Sequence, residues 1–226
     1  MQNSNNSSKS LAPVDYLYED DHIIVINKGI GWIVHKADSH QGITLCDQLI
    51  MDGVSLCGGD NNDRVGVIHR LDKMTEGVMM LTKSEAAYQG LAKQFKERTI
   101  QKEYIAMVHG DISDDYLKID QPIRRHPKKR HLFQTHPAGK ESLTEVYVVK
   151  RYNTKTLCKL YPKTGRTHQL RVHLSARGYP IVQDPYYGKK KHGEGQYLQA
   201  TRLSFTHPID QKRYSFEVPM SKRVNS

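Results

Sequence analysis

Three stretches of the 226-residue chain hold most of the side chains able to do chemistry. The first, Val67-Ile68-His69-Arg70-Leu71-Asp72-Lys73-Met74-Thr75-Glu76-Gly77, begins apolar and then sets His69, Arg70 and Asp72 close together. Thr75 and Gly77 are turn residues, and Val78-Met79-Met80-Leu81 leads back into a core. Burial disfavours an ionised carboxylate unless a cation or a hydrogen-bond donor compensates it. Asp72 therefore reads either as the structural acid of a turn or as a reactive carboxylate kept charged by a partner. The second stretch, Lys163 to Leu174, brings Arg166, His168, Arg171 and His173 together after Gly165. The third, Arg124-Arg125-His126-Pro127-Lys128-Lys129-Arg130-His131, is a basic run. It is either a solvated loop or a hairpin that contacts phosphates.

The elements that must position these groups follow from periodicity and turn chemistry. Tyr16-Leu17-Tyr18 and His22 to Ile26 predict a hairpin across the acidic turn Glu19-Asp20-Asp21. Trp32-Ile33-Val34 predicts a further short strand, Thr44 to Met51 a short helix, and Asp52 to Asp63 a loop. Ser84 is placed to cap a helix through Glu97, with Tyr88, Leu91, Ala92 and Phe95 on one face. Gln101 to His109 predicts a strand on which Tyr104 is half-buried. Val146 to Tyr152 and Leu157 to Tyr161 predict an antiparallel pair. A helix capped by Thr167 is expected to run to Gly178, with Leu170 and Leu174 on one face. On it His168 and His173 point about 140° apart, which argues against a shared metal. Leu198 to Thr206 and Tyr214 to Val218 predict closing strands, and no internal repeat is evident.

Bulk properties narrow the partner. A net charge of +10 calls for an acidic partner, and a mean hydropathy of -0.67 for a very polar surface. No apolar run approaches the ~18 residues needed to span a bilayer. The Asn- and Ser-rich start lacks the apolar segment of a secretory signal, so residues 1–15 are expected to be a disordered tail. The three cysteines are odd in number and form no C-x-x-C pair, which fits a reducing cytoplasm and argues against a disulfide framework or a zinc ribbon.

Taken together, His69-Arg70-Leu71-Asp72 with Thr75 and Gly77, then Lys102-Glu103-Tyr104-Ile105-Ala106, then Thr164 to His173, resemble in order and spacing the RluA family of pseudouridine synthases. The resemblance runs from about Leu17 to Val218. It implies an α+β fold with a long, mostly antiparallel mixed sheet, flanking helices and a central cleft. Residues 16–226 would form the catalytic domain, without the small N-terminal RNA-binding domain that many members carry. Four positions depart from the family pattern: Gly29 where Pro is usual, Glu76 where Ser is frequent, Gln183 in place of Gly, and Gln199 in place of His.

The implied reaction breaks the bond between ribose C1′ and uracil N1, turns the base, and joins C5 to C1′. No redox or phosphate chemistry occurs, so the resemblance implies neither cofactor nor metal. It assigns Asp72 as the carboxylate acting at the sugar, whether by attacking C1′ or by removing a ribose proton. Arg171 would be its positive partner. Tyr104 would stack on the uracil, its hydroxyl assisting proton removal from C5. Arg70 would fill the space left by the flipped base, or else pair with a nearby acid. With His69 beside Arg70, phosphate contacts are expected from Arg124, Arg125, Lys128, Lys129, Arg130 and Arg166, and from Lys189 to Lys191. The expected partner is a structured ribosomal or transfer RNA, met by a monomer in the cytoplasm. Two other readings compete: a non-catalytic RNA-binding protein on the same fold, and a metal-dependent phosphodiesterase using His69, Asp72, His168 and His173.

Overall fold

Apolar runs without alternation mark strands buried on both faces, and two such strands form the centre of one half of the fold. A computed structural model describes residues 13–36, 42–59, 64–188 and 195–224. Most of the expected tail and Lys189 to Lys191 lie outside these residues; Val14 packs on the core and Asp15 already opens the first strand.

The first hairpin joins β1 (Asp15–Glu19) to β2 (Ile23–Lys28). Its turn is closed by Asp20 Oδ1, which accepts from the amides of His22 and Ile23. β2 pairs antiparallel with β3 (Glu76–Thr82), the run that follows the Asp72 turn. β3 meets β10 (Leu198–Thr206) in a short parallel contact, Gln199 opposite Glu76 and Ala200 opposite Gly77. From β10 the sheet continues antiparallel through β4 (Gln101–His109), β9 (Lys155–Pro162), β8 (Leu143–Arg151) and β5 (Tyr116–Asp120). β11 (Arg213–Glu217) pairs with the remaining part of β10. This is the mixed, mostly antiparallel sheet the resemblance implied.

Three helices pack on it among the described residues. α1 (Leu45–Met51) starts with a reciprocal capping box between Thr44 and Asp47. α2 (Glu85–Glu97) starts at Ser84, whose side chain accepts from the Ala87 amide. α3 is Gln169–Ala176. Ile24, Ile26, Met79 and Leu81 cluster with Leu45 and Leu49 of α1, whereas Ile23, Val25, Val78 and Met80 turn to the opposite face and cluster with Ala87 and Leu91 of α2. In the other half, Ala106, Val108, Cys158 and Leu160 cluster with Leu170 and Leu174 of α3. Tyr104 packs against both the α1 and the α3 clusters, so it stands where the two halves of that face meet. No helix among the described residues is long and apolar enough to cross a membrane.

Two elements differ from expectation. Trp32-Ile33-Val34 is not a sheet strand; its Ile33 and Val34 carbonyls accept from Leu45 and Cys46 at the start of α1. Trp32 and Val34 are apolar because they fill the α1 cluster. α3 is entered not through a Thr167 cap but through His168, which has φ 56° and makes no side-chain cap. The basic run forms the turn between two short strands, β6 (Ile123–Arg125) and β7 (Phe133–Thr135).

The β3–β10 contact is the seam between the halves, and Gly77 makes it possible. Its φ is +119°, and a Cβ there would lie 2.0 Å from the Ala200 carbonyl oxygen. Gly53, also at positive φ (+90°), faces open space. Urea unfolding is predicted to show a loss of about 1 kcal/mol for Gly53→Ala, from backbone strain alone. Gly77→Ala should lose more than ~4 kcal/mol, because the clash is with backbone that cannot yield. Equal losses would contradict this account of the seam.

Candidate active site

The turn that carries Asp72 is held by groups far away in sequence. Thr75 N–H donates to Asp72 O at 3.0 Å, and Gly31 N–H to Lys73 O at 2.8 Å. The buried Lys28 ammonium donates to the carbonyls of Gly29, Lys73 and Thr75 at 3.0, 3.2 and 2.8 Å. Burial pushes the Lys28 pKa down to about 7, against the opposing pull of Asp72 and Glu76. Gln196 donates to the Thr75 hydroxyl, and Arg223 reaches both Met74 O and the Glu76 carboxylate. Glu76 and Gln199, two of the family departures, both tie down the C-terminal segment. Glu76 accepts from Ser221 and Arg223, while Gln199 bonds Pro219 O and Ser221 N. Gln183 takes the left-handed conformation, φ 60°, that explains a usual glycine there.

Facing this turn, α3 supplies the buried Arg171. Its Nη1 donates to Asp72 Oδ2 at 2.7 Å. Its Nε and Nη2 form a two-pronged pair with Asp184 at 2.7 and 2.9 Å. Asp184 is fully buried and also accepts from the amides of Tyr186 and Tyr187. Burial alone would raise its pKa, but the Arg171 hydrogen bonds and charge, with the two amides, hold it below the ordinary carboxylate value. Burial works against the Arg171 charge as well, yet the two carboxylates raise its pKa on balance. The rings of Tyr186 and Tyr187 pack on the guanidinium at 5.4 and 5.1 Å.

The remainder of the second motif holds α3 in place. The Gln169 amide oxygen accepts from the Thr164 hydroxyl and the Arg166 amide, and its nitrogen donates to Leu143 O and the Thr144 hydroxyl. His173 bridges the Thr144 hydroxyl and Gln121 O. His69 Nε2 accepts from the Met80 amide at 3.0 Å, and burial pushes its pKa down to about 3. That bond holds the motif onto β3, and the ring also borders the groove between Arg64 and Arg166. Of the four groups the phosphodiesterase reading required, Asp72 and His168 lie 3.8 Å apart, whereas His69 and His173 are bonded elsewhere. Among the described residues no group of three or more His, Cys, Asp or Glu could hold a metal.

Three connected cavities open here. The central one, about 140 Å³, is lined by Asp72, Lys102, Tyr104, Arg166, His168 and Arg171. On one side a groove of about 590 Å³ is bordered by Arg64, Lys96, Arg98, Lys163 and Arg166. On the other a cleft of about 430 Å³ lies under Arg125, His131, Phe133 and Tyr186. Arg70 borders all three. It pairs with no acid among the described residues; its Nη1 is 3.2 Å from His35 Nε2. Burial pushes Lys102 down to about 8. Burial, then the Asp72 charge, raises the Tyr104 hydroxyl well above an ordinary phenol.

The structure thus brings Asp72, Tyr104, Arg171, Arg70 and Arg166 around one cavity. Arg125 reaches the adjoining cleft, and Lys128, Lys129 and Arg130 are exposed at the hairpin turn. Arg124 is set back, its Nε buried without a partner among the described residues. Sequence reasoning missed Asp184, Lys28 and Gln169. It also missed the groove cations Arg64, Lys96 and Arg98, which come from separate segments and form no run.

The family model described as RNA pseudouridylate synthase matches residues 22–176. An Aquifex aeolicus protein described as an uncharacterized RNA pseudouridine synthase is 39% identical over 218 residues, covering 91% of this chain and 69% of the relative. The ribosomal large subunit pseudouridine synthase D of Neisseria meningitidis is 37% identical over 225 residues, 93% of this chain and 59% of its own length. Among solved structures, human RNA pseudouridylate synthase domain containing 1 superposes with a TM-score of 0.75 at 26% identity, covering 92% of this chain and 83% of that one.

Asp184 gives the site a pH signature. Its folded-state pKa lies below its unfolded value, so its stabilisation is complete above the ordinary carboxylate range and is lost as pH falls through the folded value. Asp184→Asn is predicted to cost about 3–5 kcal/mol near neutral pH. The gap from the parent should narrow once pH falls below ~4. Urea unfolding of both proteins from pH 7 downward checks this, and a gap that stays constant on acidification would contradict it.

Proposed function

The chain belongs to the RNA pseudouridylate synthase family, and from that premise we propose that it isomerises uridine in a folded ribosomal or transfer RNA, with Asp72 acting at the ribose. Enzymes of this family are isomerases, and this chain is an RNA-acting isomerase. The observation that carries the residue assignment is the placement of Asp72. Its carboxylate borders the central cavity with one oxygen on a buried guanidinium, and Tyr104 borders the same cavity.

The reaction rearranges bonds within the substrate: N1–C1′ breaks, C5–C1′ forms, C5 loses a proton and N1 gains one. A carboxylate at C1′ would assist the first step as nucleophile or base, and Arg171, donating to one of its oxygens at 2.7 Å, orients it for that step. Tyr104 meets the uracil as a neutral phenol, because its raised pKa keeps it protonated at neutral pH. It serves as a stacking face and hydrogen-bonding hydroxyl rather than as a standing base. Arg70, exposed between the three cavities, fits a side chain that fills the space vacated by the flipped base. The groove cations and the hairpin turn would hold phosphates on either side, which positions the RNA without reading its sequence. We infer a monomer in the cytoplasm as the working form.

Unmodified ribosomal and transfer RNA transcripts incubated with the protein should acquire pseudouridine, mapped as carbodiimide-dependent reverse-transcription stops, equally with and without chelator. Asp72→Asn should abolish the stops while leaving RNA binding within a few-fold of the parent. Stops that survive in Asp72→Asn would sink the assignment of this carboxylate. Replacing Lys128, Lys129 and Arg130 together by Ala should weaken binding to all RNAs alike. It should also flatten the plot of log affinity against log salt by about 2–3 units of slope. An unchanged slope would remove the hairpin from the phosphate contacts.

A further inference from the structure

We propose that Tyr186, with His131 beside it, is a stacking site for a second unpaired nucleobase of the same RNA, next to the target uridine. The inference rests on the RNA isomerase reading and deepens it.

It starts from the division of labour between two adjacent tyrosines. Both rings pack on the Arg171 guanidinium. Tyr187 is the partly buried one: its hydroxyl accepts from the Phe133 amide at 2.9 Å and lies 2.8 Å from His168 Nδ1. That ring already shields the arginine and ties β7 to α3. Tyr186 remains 54% exposed, on the wall of the 430 Å³ cleft. Its ring stacks with His168, centroids 6.3 Å apart and planes at 23°, and tilts against the exposed His131 at 5.6 Å. A large ring left open in this place is not explained by cover for Arg171.

The surroundings identify the ligand chemistry. The cleft falls in the range of ~300–1,000 Å³ typical of small-ligand sites, and it shares Asp72, Arg70 and Arg171 with the uridine cavity. Whatever occupies it is therefore a near neighbour of the reacting nucleotide. Its rim is cationic: Arg125 lies over the Phe133 ring at 4.9 Å on one side, and Arg70 stands on the other. Aromatic faces backed by guanidinium groups suit a base with its phosphate, since every base has a π-face and stacking tolerates any sequence. A phosphate alone would leave the aromatic wall unused. The site thus favours a uridine whose neighbour is also unpaired, as in a loop or bulge.

The test uses the full chain and the RNA in which the parent forms pseudouridine. Single-turnover rates are measured against enzyme concentration for the parent, Tyr186→Ala and Tyr186→Phe. The substrates are the intact RNA and synthetic versions with one abasic nucleotide at each position flanking the target. Tyr186→Ala should raise the half-saturating concentration about tenfold or more with the maximal rate little changed, and Tyr186→Phe should resemble the parent. One abasic position should impose the same loss on the parent and add nothing to Tyr186→Ala, the non-additivity expected of groups in contact. The proposal is overturned if Tyr186→Ala has no effect, if its effect is the same at every abasic position, or if it lowers only the maximal rate, as disturbance of Arg171 would. If the parent forms no pseudouridine in any RNA, the isomerase reading itself fails, and no rate exists for the variants to change.

Discussion

A buried guanidinium shared by two carboxylates is the interaction on which the rest of this site depends. Removing Arg171 from water is costly unless its charge and donors are met. Asp184 meets both: fully buried, it takes two parallel hydrogen bonds and fixes the guanidinium plane. What remains for Asp72 is one donor, Nη1, already oriented. Asp184 is wholly enclosed whereas Asp72 borders a cavity, although both draw on the same cation. A lysine could not divide itself this way, because its ammonium has no fixed fork. The two tyrosine faces on the guanidinium add favourable contact where water is excluded.

For that pair to form, residues 99 apart in sequence must meet across the seam of the sheet. Each side is held by a buried polar group, Lys28 on backbone carbonyls alone and Gln169 on backbone and threonine hydroxyls together. Lys28 satisfies three carbonyls of the Asp72 turn, and Gln169 satisfies both ends of its amide against the Thr164 turn and β8. These contacts set the distance from Asp72 to Arg171 without touching either side chain. Glu76 and Gln199 extend the same logic, since both clamp the C-terminal segment beside the turn. The departures from the family pattern at these positions are thus local packing solutions, and they leave the reacting groups in place.

Periodicity made the strongest elements legible from the chain alone. The two-sided apolar runs of β2 and β3, the Ser84-capped α2 and the closing strand β10 all appear where their pattern placed them. α3 was only half legible. Leu170 and Leu174 suggested one buried face, yet Gln169 through Leu174 are all buried. A helix carrying Gln, Arg and His cannot announce this by hydropathy, because its polar groups are satisfied by residues distant in sequence. Trp32-Ile33-Val34 misled in the opposite sense: its apolar side chains serve the α1 cluster, not a sheet. In the site, Asp72, Tyr104 and Arg171 were legible through resemblance. Asp184 was not, since an acid before a proline in a loop looks like turn chemistry until its partner is seen.

The hairpin and the reaction centre are also physically continuous. The Phe133 amide on β7 donates to the Tyr187 hydroxyl, which in turn lies 2.8 Å from His168 Nδ1. The other ring nitrogen of His168, Nε2, stands 3.8 Å from Asp72 Oδ2. Burial first, against the pull of Asp72, lowers the His168 pKa. The exposed basic turn of that hairpin is thus joined to the Asp72 side of the cavity through a short series of polar contacts. Asp72 is therefore met from within by Arg171 and from the hairpin side by His168, so elements on both flanks of the cavity fix its place.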